Sequence, residues 1–241
     1  FLSAYDEHSV IMIPSEEGSR NVENGRSYSN IIRAKHDFGE QSHIGLVATD
    51  RRFEGGGSGS LLGVDGRIRY SEKNSSVFQV IATHTEEVDN PGLVTTWDSD
   101  EERYVTDEEY NESTFSGGRY TRGLDGERFW GHGFLVNLQR NTRDYSIGTS
   151  YDEKSETFRA DNGFEPRNNR RSADIWLRGV KRFDESRILE STNASVNVSR
   201  VWNFDGVRKD EWVNADWEID FRAAQTGIHS SYMRSNELFR D

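Results

Sequence analysis

The segment from Val213 to Ala223 alternates without a fault. Val213, Ala215, Trp217, Ile219, Phe221 and Ala223 are apolar, while Asn214, Asp216, Glu218, Asp220 and Arg222 between them are polar. Successive side chains of a β-strand point to opposite faces, whereas on a helix these apolar positions would scatter around the cylinder. The segment therefore reads as a strand with one apolar and one charged face. It is longer than the roughly five or six residues usual in soluble strands, and it matches the roughly 9–11 that cross a bilayer at a tilt.

The same period of two recurs along the chain. Leu62, Val64, Gly66, Ile68 and Tyr70 oppose Asp65, Arg67 and Arg69. Trp130, His132, Phe134, Val136 and Leu138 oppose Gly131, Gly133, Asn137 and Gln139, with Leu135 an exception. Tyr145, Ile147, Thr149 and Tyr151 oppose Ser146, Gly148 and Ser150. Ala173, Ile175, Leu177 and Gly179 oppose Ser172, Asp174 and Arg178, and Trp176 falls out of the pattern. Weaker strands are expected at 30–38, 42–50, 76–84, 188–202 and 228–238. The total is about ten, plus a stub at 1–5.

Connection lengths alternate as well. Short turns are expected at Gly39–Gln41, Ser71–Ser75, Asn141–Asp144, Phe183–Arg187 and Ala224–Gly227. Long outward loops are expected near 6–28, 85–129 and 153–170, with another at 51–59 and a tighter one at Asn203–Val207. Short turns on one rim and long loops on the other are the habit of outer-membrane barrels. The expected fold class is thus all-β, an antiparallel up-and-down transmembrane β-barrel. Residues 1–241 form a single segment of it, and the remaining strands lie elsewhere in a longer chain, because an open sheet cannot stand alone in hydrocarbon. Aromatics near strand ends (Tyr70, Trp130, Tyr145, Tyr151, Trp202 and Trp212) suit interfacial girdles. Trp176 and Trp217 lie mid-strand and do not.

Parity also fixes one register. The apolar faces of 30–38 and 42–50 are both even-numbered: Ile32, Ala34, His36 and Phe38, then Ile44, Leu46 and Ala48. Directly opposed residues share a face, so the loop between them must hold an odd number of residues. A three-residue Gly39–Gln41 loop pairs Phe38 with Ser42, His36 with Ile44, Ala34 with Leu46 and Asp37 with His43.

Composition permits this reading and narrows the rest. With 33% hydrophobic residues, 30% charged and no long apolar run, no helix can span a membrane. A barrel strand needs only one apolar face, so it survives the same numbers. The 42 acidic against 30 basic residues, net −12, argue against nucleic acid as a partner. No cysteine is present, which removes disulfides, thiolate nucleophiles and cysteine-ligated zinc. The opening FLSAYDEH has neither a basic start nor a cleavage site, so the signal peptide an exported barrel needs is expected upstream.

Three stretches resemble one bacterial family: NIIRAKHDFGEQSHIGLVATDRRF (30–53), LLGVDGRIRYSEKNSSVFQVIATHTEE (61–87) and FRADNGFEPRN (158–168). It is the family known as domain of unknown function 5916. There, a carbohydrate-binding-like domain precedes a segment believed to be an outer-membrane barrel. The likeness runs from about residue 29 to the end and is weakest in the acidic stretch 85–128. It implies a barrel in the outer membrane of a Gram-negative bacterium, with a saccharide as cargo or ligand. It carries no mechanism and no sugar-binding residue.

Candidate site residues are few. Asp65, Arg67, Arg69, Asn214, Asp216, Glu218, Asp220 and Arg222 are expected to line a wet barrel interior and set ion and solute preference. In FRADNGF, Asp161, Asn162 and Gly163 are expected to form a turn between Phe158, with Arg159 beside it, and Phe164, folded against the rim. Such a turn draws on side-chain-to-backbone hydrogen bonds and positive φ. The acidic run 97–112 lacks the Asp-x-Asp-x-Asp-Gly order of a calcium loop and reads as solvated and flexible. FEGGGSGS (53–60) reads as a flexible loop. The six histidines show no metal-ligand spacing, and no triad, nucleophile elbow or phosphate loop occurs. No catalytic residue, metal or cofactor is assigned. The expected function is a channel or transport-related barrel whose partners are the bilayer and lipopolysaccharide, and nothing sets its oligomeric state. The rivals are a soluble secreted glycan-binding or glycan-hydrolysing β-protein and a pore-less structural barrel.

Overall fold

The computed structural model describes residues 1–222 and 225–238. Ala223, the last apolar position of the alternating run, and Ala224 of the expected turn lie outside the described residues. The described chain is all-β and almost wholly antiparallel. In order it runs β1 (Leu2–Asp6), β2 (Ser9–Pro14), β3 (Ser19–Asn24), β4 (Ser27–Phe38), β5 (Ser42–Phe53), β6 (Ser58–Arg69) and β7 (Asn74–Glu86). Then come β8 (Thr95–Asp98), β9 (Arg103–Thr106), helix α1 (Glu108–Glu112), β10 (Thr114–Phe115), β11 (Tyr120–Thr121) and β12 (Arg128–Asn141). The last five strands are β13 (Tyr145–Lys154), β14 (Arg170–Arg182), β15 (Leu189–Trp202), β16 (Arg208–Phe221) and β17 (Thr226–Glu237).

Eleven strands form one sheet in the order β1-β4-β5-β6-β7-β12-β13-β14-β15-β16-β17. These are the ten strands and the stub expected from alternation. The sheet is an up-and-down meander whose long strands hold 10 to 14 residues. It does not close among the described residues, because β1 and β17 are its two edges. The β4–β5 register is the one that parity requires: Phe38 opposes Ser42, His36 opposes Ile44, Ala34 opposes Leu46 and Asp37 opposes His43. The three-residue loop closes with Gly39 and Gln41 at positive φ.

The connections sort by rim. One rim carries 39–41, 70–73, 142–144, 183–188 and the ends of β16 and β17 that face each other, and all three long connections, 7–26, 87–127 and 155–169, leave the other. Two expectations need correction here. The 51–59 connection is not long, since β5 and β6 extend to leave only 54–57, and FEGGGSGS is not a free loop. Gly55, Gly56 and Gly57 take positive φ in a tight turn, and a Cβ on Gly57 would lie 2.8 Å from the Val88 amide nitrogen. Glycine is used there because the backbone of another segment comes too close for a side chain. The acidic run 97–112 is also built rather than loose. It forms the β8–β9 hairpin and α1, whose first turn is capped by Asp107 accepting from the Tyr110 amide at 3.0 Å.

The three long connections make a cap, and the apolar core lies inside it. Ile11, Ile13, Val22, Phe53, Val88, Val94 and Leu124 are all buried in one cluster. Arg20 of β3 binds Asp107 at 2.7 Å. At its far end the β2–β3 hairpin presents Glu16 and Glu17 to Lys209 of β16, the Glu17 contact being 2.5 Å. Glu16 also accepts from Asn169 at 3.0 Å and from Asn203 at 3.2 Å. Near its base the hairpin offers the Val10 carbonyl to Arg51 of β5. Through these contacts the β2–β3 hairpin spans the sheet from β5 to β16.

Candidate functional site

Directly opposed residues share a face, so faces can be followed across the sheet. Asp65 opposes Gln79, Gln79 opposes Leu135, Leu135 opposes Asp152 and Asp152 opposes Ser172. Two residues at a time along β14, the same face reaches Arg178, which opposes Ser195, which opposes Asp216. Asp65, Arg67, Arg69, Asn214, Asp216, Glu218 and Asp220 thus share the face on which the cap sits, and Arg222 follows in phase just beyond β16. They do not converge on one point. Asp65 pairs with Arg33 at 2.6 Å, Asp220 accepts from Ser191 at 2.6 Å, and Asp216 accepts from Asn214 at 2.9 Å. Arg69 and Arg222 turn to backbone carbonyls at the short-turn rim, Ser71 and Phe183 respectively.

Trp176 now has a reason. It opposes Gly148 on the polar face, and a Cβ on Gly148 would meet its ring at 2.5 Å. The ring occupies the space a glycine leaves. Trp212 lies on the same face, opposite Ser199, so it belongs to no outward girdle.

The FRADNGF loop divides. Phe158 and Arg159 are buried, whereas Phe164 is 79% exposed. Asp161 lies so close to β6 that a Cβ on Gly59 would collide with its carboxylate, and a Cβ on Gly131 would stand 2.6 Å from the Phe158 Cα. The glycines of β6 and β12 let this loop press onto the sheet. A Gly-His-Gly step at 131–133 in an otherwise well-formed strand was the available signal. The expected turn is present, closed by the Gly163 amide donating to the Ala160 carbonyl at 2.9 Å. None of Asp161, Asn162 and Gly163 takes positive φ, so that part of the expectation is corrected.

Arg159 is the centre of the loop's chemistry. Its Nη1 donates to Glu87 Oε1 at 3.0 Å, and its Nε stands 3.4 Å from Asp161 Oδ1. Arg51 Nη1 donates to the Asp161 carbonyl at 2.9 Å. Glu87 is 5% exposed, and burial pushes its carboxyl up to about 8, with Asp125 and Glu127 adding to the rise against the pull of Arg159. Beside this pair a cavity of ≈ 330 Å³ is walled by Phe115, Arg122, Phe129, Phe158 and Asn168 among others. Sequence reasoning missed Glu87 and its neighbours Asp125 and Glu127, because nothing local marks them.

The fold and site define a class no finer than an antiparallel meander with one apolar face, one charged face and a cap. No family model, curated protein or solved structure matches this chain.

Proposed function

We propose that this chain is a segment of an outer-membrane β-barrel that serves as a channel or transport element, with its charged face inward and the cap over one mouth. A single observation supports it: the apolar face of the sheet is bare across its width. Ile32, Leu62, Ile175, Val198, Trp217 and Ile228, on six different strands, share that face, and Leu62, Ile175 and Ile228 are 55%, 60% and 57% exposed. Water penalises such a surface by about 25 cal/mol per Å², and hydrocarbon does not. A soluble sandwich would cover it with a second layer, but the described apolar core lies in the cap instead.

Two further features agree. Outward aromatics fall at both rims, with Tyr70 and Tyr145 at the short-turn rim and Tyr28, Trp130 and Tyr151 at the capped rim, as interfacial belts require. The sorted connection lengths suit short periplasmic turns and long outward loops. Closure would then come from strands pairing with the open edges β1 and β17. The resemblance to the family of domain of unknown function 5916 adds a saccharide as the solute, and bilayer and lipopolysaccharide as surroundings.

The test is insertion. Ala215→Arg, at the middle of β16 on the apolar face, should weaken folding into liposomes by about 2–4 kcal/mol. Asp216→Arg, one residue away on the polar face, should be tolerated. Equal tolerance of both would end the membrane reading.

A further inference from the structure

Three carboxylates from the cap meet beside the FRADNGF loop. The Glu87 amide donates to the Glu127 carbonyl at 2.9 Å, and Asp89 bridges to Asp125, so the end of β7 and the approach to β12 run side by side. One carboxylate oxygen each from Glu87, Asp125 and Glu127 lies within 4.8 Å of the other two. Each carboxylate is steadied by a protein donor at one oxygen. Arg159 Nη1 binds Glu87 Oε1, Thr121 Oγ1 donates to Asp125 Oδ2 at 2.7 Å, and the Thr121 amide donates to Glu127 Oε2 at 2.9 Å.

The other oxygens are left over. Glu87 Oε2 is buried with no hydrogen-bond partner, in a residue 95% removed from solvent. The hydroxyl of Thr85, two residues back on the same face of β7, is likewise buried and unpartnered. A buried acceptor without a partner costs about 1–3 kcal/mol, more when charged. The one guanidinium bonded to the cluster, that of Arg159, is shared with Asp161. A group with two positive charges and a demand for oxygen ligands would satisfy both deficits.

We propose that Glu87, Asp125 and Glu127 bind one calcium ion in the cap. Calcium takes six to eight oxygens at about 2.3–2.6 Å in adaptable geometry, so three oxygens within 4.8 Å of one another can share one ion. Magnesium demands a near-octahedral shell and gives up its water reluctantly, so a site with a fully buried carboxylate suits it less. The ion would tie β7 to β12 across the long 87–127 connection, and water in the adjoining cavity can complete its shell. The acidic run 97–112 contributes no ligand. The site lies in the cap and does not depend on the barrel reading.

Isothermal titration of the full chain, folded in detergent micelles and stripped of metal, tests this with CaCl2 alone. One saturable calcium per chain is expected, with at least tenfold weaker binding of MgCl2. Asp125→Asn with Glu127→Gln should weaken calcium at least tenfold, and single Glu127→Gln serves if the double variant does not fold. Absence of saturable calcium uptake by the unaltered chain, or unchanged affinity in a folded variant, would overturn the proposal. Either result would leave the membrane reading untouched, since that is read from lipid insertion.

Discussion

Arg33 of β4 reaches across β5 to Asp65 of β6, Nη2 to Oδ2 at 2.6 Å, directly over Gly45. The pair spans two strand spacings because the strand between offers no side chain. A Cβ on Gly45 would stand 2.5 Å from Asp65 Oδ1 and 2.7 Å from Arg33 Nη2. Gly45→Val should therefore part the two charges. Both side chains are partly solvated, so the loss should not exceed about 1 kcal/mol in urea unfolding. A loss of several kcal/mol would show that Gly45 supports packing instead.

Gly148→Ala should be costlier. Its new methyl would enter the ring of Trp176, a rigid group that cannot swing aside like a charged chain end. Overpacking of this kind costs about 1–3 kcal/mol. In a Trp176→Ala background the same change should be nearly neutral. Additive effects in that double-mutant cycle would contradict the contact.

Glu87 makes stability depend on pH. Its folded carboxyl titrates near 8 and its unfolded one near 4.5. Between these values the folded chain holds a proton that the unfolded chain has lost, so stability falls as pH rises through the window and levels off above 8. The slope should approach 1.4 kcal/mol per pH unit at its steepest. Glu87→Gln keeps an acceptor for Arg159 and should flatten the profile. The measurement is denaturant unfolding from pH 5 to 9 with a chelator present. An unchanged slope in Glu87→Gln would place the effect elsewhere.

The polar face carries its own expectation. Asp216, Glu218 and Asp220 project in phase along β16, and neutralising all three to their amides keeps the hydrogen bonds from Asn214 and Ser191. Reversal potentials in planar bilayers should shift away from cation preference, since a pore follows the charges of its lining. A protein that conducts nothing would favour a structural barrel instead.

Much of the sheet was legible in the sequence because its signal is local. Alternation located the strands, and two even-numbered apolar sets fixed the β4–β5 register. What was illegible depends on distant contacts. The hairpin within 6–28 showed no alternation, since Val10 to Pro14 is an unbroken apolar run, and its partners, Asp107 and Lys209, lie far along the chain. Gly57 read as looseness, whereas it is the close approach of Val88 that requires it. Glu87, Asp125 and Glu127 are ordinary acids until the fold brings them together.

The central claim is that odd-numbered residues of β16 meet lipid and even-numbered ones meet water. The chain has no cysteine, so a spin label can be placed at any single position from Val213 to Asp220 without background. In liposomes, collision with oxygen, which concentrates in hydrocarbon, should peak at Val213, Ala215, Trp217 and Ile219. Collision with a water-soluble nickel chelate should peak at Asn214, Asp216, Glu218 and Asp220. The two profiles should alternate out of phase with a period of two. Profiles that are flat, or equally open to the chelate on both faces, would contradict the account.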